Sequence, residues 1–389
     1  MKKTLLITVF YCMLCAYSAA QNETAAEDFD IPVKSKKILL IGEEHHTFEI
    51  EDAEKRIVKD IIRQNRDIKH YQLCLEAPFS LQYHIENLIE YNDTLSVKQY
   101  FSCVGTGIAK LDTLTPSKKE TYRSMLYYAQ MAKSMQSGSL QIRCIDVEAP
   151  LHPAVFTILH ILRKYEIRDS LFQKQFNYLD SLFSLNHLLY HFAPFHERFG
   201  NYFLSHKDFF QHRLSPRDYY YISEIIGRCP KKVVRKSTFE DAIVTQERDI
   251  IMYNAINQHY NDSTFYIAIL GRSHVLRKGT GFERKFHGKF KNVATLLATD
   301  KDSHFKRRIN SLVFCSLSRY KRSINPKGEV ELFNPQSNYP GHFAKHKDYL
   351  NSMLTPDNIT FLNLRKTRLR NARCYADYMI VMKQVTGIY

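Results

Sequence analysis

The sequence predicts an α/β fold with a mostly parallel central sheet flanked by helices. Four short apolar runs, each ending near a glycine or an acidic residue, have the length and composition of buried parallel strands. The segments between them place apolar residues at helical spacing, as crossover helices do. The chain has 389 residues and is 44% hydrophobic, so it can bury a large core, which excludes a disordered protein.

The predicted elements alternate along the chain from residue 37. In chain order they are strand Lys37–Ile41, helix Glu51–Arg66, strand Tyr71–Leu75, helix Ser80–Tyr91, helix Lys118–Gln136, strand Gln141–Val147, helix Phe239–Tyr260 and strand Ser263–Leu270. Because the strands are separated by helices, we expect them to run parallel.

Two regions depart from this alternation within a single domain over residues 37–389. Residues of about 151–230 carry many Phe, Tyr, His and Leu at helical spacing, which predicts a helical insertion. The C-terminal part is strand-rich. Its predicted strands are Val293–Ala298, Leu312–Leu317 and Tyr378–Val385, with a loop at about 325–340.

The first 20 residues have the pattern of a signal peptide. Lys2 and Lys3 precede an apolar run over Thr4–Tyr17, and small residues follow just before Gln21. No later stretch approaches the ~20 apolar residues of a spanning helix. We therefore expect a periplasmic or secreted protein whose residues 21–36 form a flexible leader.

The net charge of +15 makes this a basic protein. Such a surface attracts nucleic acid, anionic lipid or acidic glycans. No recognisable nucleic-acid module accompanies the charge, so a nucleic-acid partner is not expected. A solvated basic face explains the charge, and binding of acidic glycans or lipids through Lys306, Arg307 and Arg308 is an alternative function. The six cysteines after residue 20 include no Cys-x-x-Cys pair, which excludes a zinc site of that kind.

Groups capable of chemistry follow three of the four predicted strands. Glu43, His45 and His46 follow the first strand, Glu76 follows the second, and His274 follows the fourth. Ligands in parallel α/β sheets bind beyond the carboxyl ends of the strands. We interpret Gly42 and Gly271 as sites of sharp turns that bring these side chains over the sheet.

This set of residues allows two kinds of chemistry. A carboxylate beside an imidazole orients it, so that His45 or His46 activates a water as a general base. Alternatively, His45, Glu76 and His274 are ligands of a divalent metal that lowers the pKa of bound water. The sequence leaves this choice open, and it also leaves open whether His45 or His46 is the reactive histidine.

The motif order resembles a superfamily that contains the erythromycin esterase-like, ChaN-like and TraB/Tiki-like proteins. The run KILLIGEEHHTFEI resembles that superfamily's first strand, which ends in Gly-Glu-x-His or Gly-Glu-x-x-His. Leu75-Glu76 resembles a later strand ending in glutamate. Arg248-Asp249-Ile250-Ile251-Met252 is similar to the Arg-Asp-x-x-Met helix, and Gly271 to His274 is similar to the late Gly-x-x-His element.

The resemblance implies that Glu43, His45 or His46, Glu76, Arg248 and His274 line one cleft. It implies a hydrolase of ester, lactone or peptide bonds acting on a small molecule or a peptide, with Arg248 stabilising a developing anion. A non-catalytic haem- or metal-binding protein on the same scaffold is the alternative. This chain has Arg272-Ser273 where macrolide esterases usually carry Asn before the histidine, which argues against a macrolide substrate.

The aromatic segment 180–212 also contains several histidines. Their irregular spacing favours a packed helical cap over a haem or metal site. They are His187, His191, His196, His206 and His212.

Overall fold

The structure is a computed structural model that describes most of the chain. The described residues are 31, 33, 35–44, 47–103, 114, 116–135, 138–149, 151–184, 192–230, 239–277, 291–324, 330–336, 346–354, 359–364, 366–367, 369 and 376–387. The predicted signal peptide, His45 and His46 lie outside them.

A single sheet of eight strands forms the centre of the molecule, with strand order β3-β2-β4-β1-β5-β8-β7 and β6 paired with β5. Neighbouring strands from β3 to β8 in this order are parallel, whereas β7 and β6 pair antiparallel with β8 and β5. The predicted parallel α/β architecture is confirmed. The strands are β1 Ile38–Glu43, β2 His70–Pro78, β3 Leu140–Asp146, β4 Thr264–Gly271, β5 Ile309–Ile324, β6 Val330–Gln336, β7 Ile359–Asn363 and β8 Tyr378–Gly387.

Helices connect the parallel strands, and six described helices and a π-helical turn at His196–Gly200 lie between residues 151 and 230. The helices are α1 Phe48–Gln64, α2 Phe79–Tyr91, α3 Thr94–Cys103, α4 Pro116–Ser134, α5 Leu151–Leu162, α6 Ser170–Ser184, α7 Phe192–Phe195, α8 Asn201–Ser205, α9 Lys207–Arg213, α10 Pro216–Arg228, α11 Phe239–Asn257, α12 Arg272–Val275, α13 Val293–Thr299 and α14 Lys347–Ser352. None of the helices in the described part of the chain is long and apolar enough to cross a membrane.

The sheet is covered on both faces, because alternate residues of each strand enter different cores. In β1, Leu39 and Ile41 pack in the core that contains α1, α2 and the helices of residues 151–228. Leu40 packs in the second core, which contains Met252 of α11 and Leu297 of α13. The carboxyl ends of the strands therefore lie between two helical layers.

Residues Val293–Ala298 form a helix, so the prediction of a strand there is wrong. Asn292 caps this helix, and its side-chain oxygen accepts a hydrogen bond from Thr295 N at 3.0 Å. The run VATLLA is too short for its periodicity to separate a strand from a buried helix. The cap decides the outcome because it satisfies a free backbone N–H at the first turn.

Residues Val330–Gln336 form strand β6, so the predicted loop at about 325–340 is wrong in this part. This strand pairs antiparallel with the C-terminal part of β5, from Ile324 back to Arg319. Pro335 lies where the pairing shifts register. Proline is tolerated there because β6 is an edge strand, and an irregular position does not require its missing N–H.

The described cysteines behave as small apolar side chains. Cys74, Cys103, Cys144, Cys229 and Cys315 are all free and buried. None of these five forms a disulfide, and Cys374 lies outside the described residues.

Gly42 is needed for space and not for a sharp turn. A Cβ atom on Gly42 would lie 3.1 Å from Cγ1 of Val313 and 3.2 Å from both Cα of Arg272 and Cβ of Val275. Gly271 has φ −54° and ψ 140°, a conformation that any residue adopts. The interpretation of both glycines as turn residues is therefore wrong. Gly42 instead lets the turn after β4 pack closely against β1.

We expect Gly42→Ala to destabilise the fold by about 1 to 3 kcal/mol, because the added methyl group meets backbone and β-branched side chains that cannot move away easily. The free energy of unfolding in urea measures this effect. Gly227→Ala is the matched control, since no atom lies within 4 Å of a Cβ there and alanine favours the helix. Equal effects of the two substitutions would contradict the packing argument.

Candidate functional site

The ends of four parallel strands meet at one edge of the sheet. Glu43 of β1 lies beside Gly271 of β4, and Asp146 of β3 lies beside Pro78 of β2. The pairing of β2 with β3 becomes irregular just before Pro78, where Glu76 lies. Such irregularities re-aim side chains near functional sites. Acidic side chains from three strands are thus brought to this edge.

The Glu76 carboxylate is the centre of the contacts at this edge. Its side chain is only 3% exposed. It accepts hydrogen bonds from a guanidinium N–H of Arg248 and from the backbone N–H of Gly271, and Nε2 of His274 lies 3.5 Å from its Oε1. The helix α11, the end of β4 and the turn after β4 each supply one of these three partners.

Arg248 joins two strand ends. Besides Glu76, its guanidinium binds Asp146 through Nε at 2.7 Å and Nη2 at 2.5 Å. This paired arrangement is the strong, directional form of an arginine–carboxylate contact. The arginine side chain is 32% exposed, and the two carboxylates fix its guanidinium in place.

His274 is buried and held by a second carboxylate. Its Nδ1–H donates to Oδ1 of Asp249 at 2.7 Å, which fixes the ring orientation and turns Nε2 toward Glu76. Asp249 is itself held by the backbone N–H of Val293 at 3.1 Å. Burial alone would lower the pKa of His274, but the Asp249 hydrogen bond and the charges of Glu76 and Asp249 outweigh it and raise that pKa. The imidazolium form is therefore more favoured than in a free histidine.

Glu43 belongs to a second group of contacts, on the side of the sheet covered by α1. Its side chain forms a hydrogen bond with that of Glu54, which lies on α1. Glu51, one turn earlier on the same helix, accepts from Oγ of Ser124 at 3.1 Å. Burial, followed by the Glu43 charge, raises the pKa of Glu51 to about 7 although the Ser124 bond opposes it.

Glu44 forms a third group with Arg272. Its side chain is buried, and it accepts from a guanidinium N–H of Arg272 and from Oγ of Ser316 at 2.7 Å. This pair ties the end of β1 to the turn after β4 and to β5. The Arg272 position, which departs from the macrolide-esterase pattern, thus has a buried carboxylate as its partner.

The structure brings together Glu76, Arg248 and His274, and places Glu43 at the adjacent strand end. His45 and His46 lie outside the described residues. Two further members of the group, Asp146 and Asp249, are not among the site residues that the sequence predicts. Both signals were present, since Asp146 ends a strand and Asp249 follows Arg248 directly.

The histidines of the helical region bind neighbouring carbonyl groups. His196 contacts the carbonyl of Cys229 at 3.0 Å, and His206 and His212 contact the carbonyl four residues earlier. His187 and His191 lie outside the described residues. Across the part of the chain that the structure describes, no group of three or more His, Cys, Asp or Glu side chains is arranged to hold a metal ion.

Comparison with known proteins gives a likeness in fold. A mutant of the erythromycin esterase EreC in its open conformation aligns with TM-score 0.57 and 10% identity, over 92% of this chain and 93% of that one. A succinoglycan biosynthesis protein gives 0.56 and 9%, over 91% and 89%. A protein from Bacillus cereus gives 0.53 and 13%, over 92% and 91%.

These likenesses confirm, at the level of the fold, the resemblance found in the motif order. A haem-binding ChaN of Campylobacter jejuni aligns with TM-score 0.31, which is too low to support an argument. No protein-family model matches the sequence, and no curated protein matches it.

The raised pKa of His274 predicts a pH-dependent contribution to stability. Because the folded pKa exceeds the ordinary value of 6.5, the stabilisation is fully present below that pH and is lost as pH rises through the folded pKa. We expect the stability difference between wild type and His274→Gln to shrink as the pH rises above about 6.5. Urea unfolding at several pH values measures it, and a constant difference would contradict the assigned charge.

Removing Arg272 should leave the Glu44 carboxylate buried without its cation. We expect Arg272→Ala to lower the free energy of unfolding by about 2 to 4 kcal/mol. The double variant Glu44→Gln/Arg272→Ala removes the uncompensated charge and should recover more than half of that loss. Failure of the double variant to recover stability would show that Arg272 acts through packing alone.

Proposed function

We propose that this protein is a hydrolase that cleaves an ester or lactone bond in a small molecule. The observation that carries this proposal is the group formed by Glu76, Arg248, Asp249 and His274 at the carboxyl edge of the sheet. A buried imidazole that a carboxylate orients, beside a guanidinium fixed by two carboxylates, suits a reaction in which an oxyanion forms and a proton is delivered. The likeness in fold to an erythromycin esterase supports the same reaction class.

The positive groups have defined roles in this proposal. Arg248 cannot lose its proton, and two carboxylates hold its orientation, so it stabilises the negative charge that develops on the carbonyl oxygen. His274 keeps a proton because Asp249 and Glu76 flank its ring. It is therefore the proton donor to the leaving alkoxide.

The base comes from the end of β1. Glu43 orients His45 or His46, and that histidine takes a proton from the attacking water. The water oxygen bonds to the carbonyl carbon, and the resulting oxyanion lies beside Arg248. The carbon–oxygen bond then breaks, the alkoxide takes the proton of His274, and the carboxylic acid releases its proton to solvent, so the products are a carboxylate and an alcohol. The base histidine passes its proton to solvent, and His274 takes one back from solvent. One water is consumed for each bond cleaved.

The reaction proposed here does not require a metal ion. Arg248 already supplies, next to Glu76 and Asp146, the positive charge that a metal would supply. A divalent cation placed beside this guanidinium would be repelled at short range. We therefore expect activity to survive dialysis against EDTA, and loss of activity restored by zinc or manganese would favour the metal-assisted alternative.

Hydrolysis of p-nitrophenyl acetate, p-nitrophenyl butyrate and small lactones tests the proposal. We expect His274→Asn to lower kcat by about 10² to 10⁴, the usual contribution of a general acid. Glu43→Gln should also lower kcat, because the base histidine loses the carboxylate that orients it. His304→Asn is the matched control, because His304 is an exposed histidine that stacks on Tyr260, away from the strand ends. An inactive wild-type protein, or site variants as active as the control, would overturn the proposal.

A further inference from the structure

Glu54 lies at a core position of α1. The buried residues of this helix are spaced as one amphipathic stripe, and every other member is apolar: Ile50, Ala53, Ile57, Val58 and Ile61. Glu54 is 3% exposed. Glutamate is almost never buried so completely unless it is paired, so its presence in this stripe requires a physical reason.

Among the described residues, none of the neighbours of Glu54 is a cation in contact with its carboxyl group. Its hydrogen-bonded contact is Glu43, and no donor group among the described residues reaches its Oε1 atom. Glu51 and Lys55 flank it on α1, and Tyr128 faces it from α4. Lys55 is itself bound to Asp52 at 3.1 Å.

Other glutamates of the same helix have donors. Glu49 accepts from the backbone N–H of Thr386 at 2.8 Å, and Glu51 accepts from Ser124. Among the described residues, the Oε1 atom of Glu54 thus lacks the kind of donor that Glu49 and Glu51 each have.

Two carboxyl groups in contact in a buried position cannot both be ionised, because like charges at that distance repel strongly and neither is well solvated. Glu43 is half-buried at the open strand edge, whereas Glu54 is inside the core. The proton therefore resides on Glu54, which donates a hydrogen bond to ionised Glu43. Burial, and then the charges of Glu43 and Glu51, raise the pKa of Glu54 in agreement with this assignment.

We propose that Glu54 is a positioning residue that acts through Glu43: its neutral carboxyl group donates a hydrogen bond that holds the Glu43 carboxylate at the end of β1. This hydrogen bond occupies one oxygen of Glu43 and fixes the orientation of the carboxylate. This inference rests on the proposed function, in which Glu43 orients the base histidine. It adds a residue of α1 that acts through Glu43.

Paired substitutions at Glu54 test the hydrogen bond separately from the packing. Glu54→Gln keeps an N–H donor, whereas Glu54→Leu fills the apolar stripe without a donor. Using p-nitrophenyl acetate, we expect the glutamine variant to stay within about threefold of wild type. The leucine variant should lose about 10- to 100-fold in kcat with KM nearly unchanged, because a misplaced catalytic group affects the chemical step. Glu49→Gln, on the same helix, is the charge-matched control and should match wild type.

Infrared spectroscopy tests the protonated carboxyl group without any activity assay. At about pH 8.5, where Glu51 and Glu148 with pKa values of about 7 are mostly ionised, the wild type and Glu49→Gln should show a carboxylic acid C=O band. Glu54→Gln and Glu54→Leu should lack it. If the leucine variant does not fold, the glutamine variant decides this arm alone.

The two arms separate the inference from the proposed function. An inactive wild type together with loss of the band in Glu54→Gln overturns the hydrolase and supports the protonated Glu54. Persistence of the band in Glu54→Gln, or equal kcat values for the glutamine and leucine variants, overturns the role of Glu54.

Discussion

The arrangement of the candidate site depends on how the buried Glu76 carboxylate is compensated. An ionised carboxylate excluded from water needs both an opposite charge and hydrogen-bond donors. These come from Arg248 on α11, the backbone N–H of Gly271 and the ring of His274. Each partner belongs to a different piece of structure. The packing of these three pieces against the sheet therefore also provides the charge and the donors that the buried Glu76 carboxylate needs.

Carboxyl groups lie close together on both sides of the sheet edge, and their repulsion is relieved differently on each side. On the α11 side, the carboxylates of Glu76 and Asp146 are balanced by a permanent cation, Arg248. On the α1 side, the contact between Glu43 and Glu54 is relieved by a proton. One side of the edge thus holds a guanidinium between two carboxylates, and the other holds two carboxyl groups in contact.

The sequence predicted the sheet well because buried parallel strands have a simple signature. β1, β2, β3 and β4 lie where continuous apolar runs predicted them, and their order follows from the alternation with helices. The errors occurred where that signature fails. The run Val293–Ala298 is too short to show whether its apolar residues have the period of a helix or of a strand. Strand β6 contains a proline, which is tolerated because β6 lies at the edge of the sheet. The first outcome depends on the helix cap at Asn292, and the second depends on the pairing of β6 with β5.

The sequence by itself determined that acidic residues and histidines follow several strand ends, because chain order and the parallel sheet together bring strand ends to one edge. It also supplied the correct fold class. Only the tertiary structure decided which groups pair. The partners of Arg248 lie 172 and 102 residues away, and Asp249 faces His274 because of the way α11 docks on the sheet. Pairing energies depend on distance and burial in space, and these are set by packing of distant segments, which local sequence patterns do not encode.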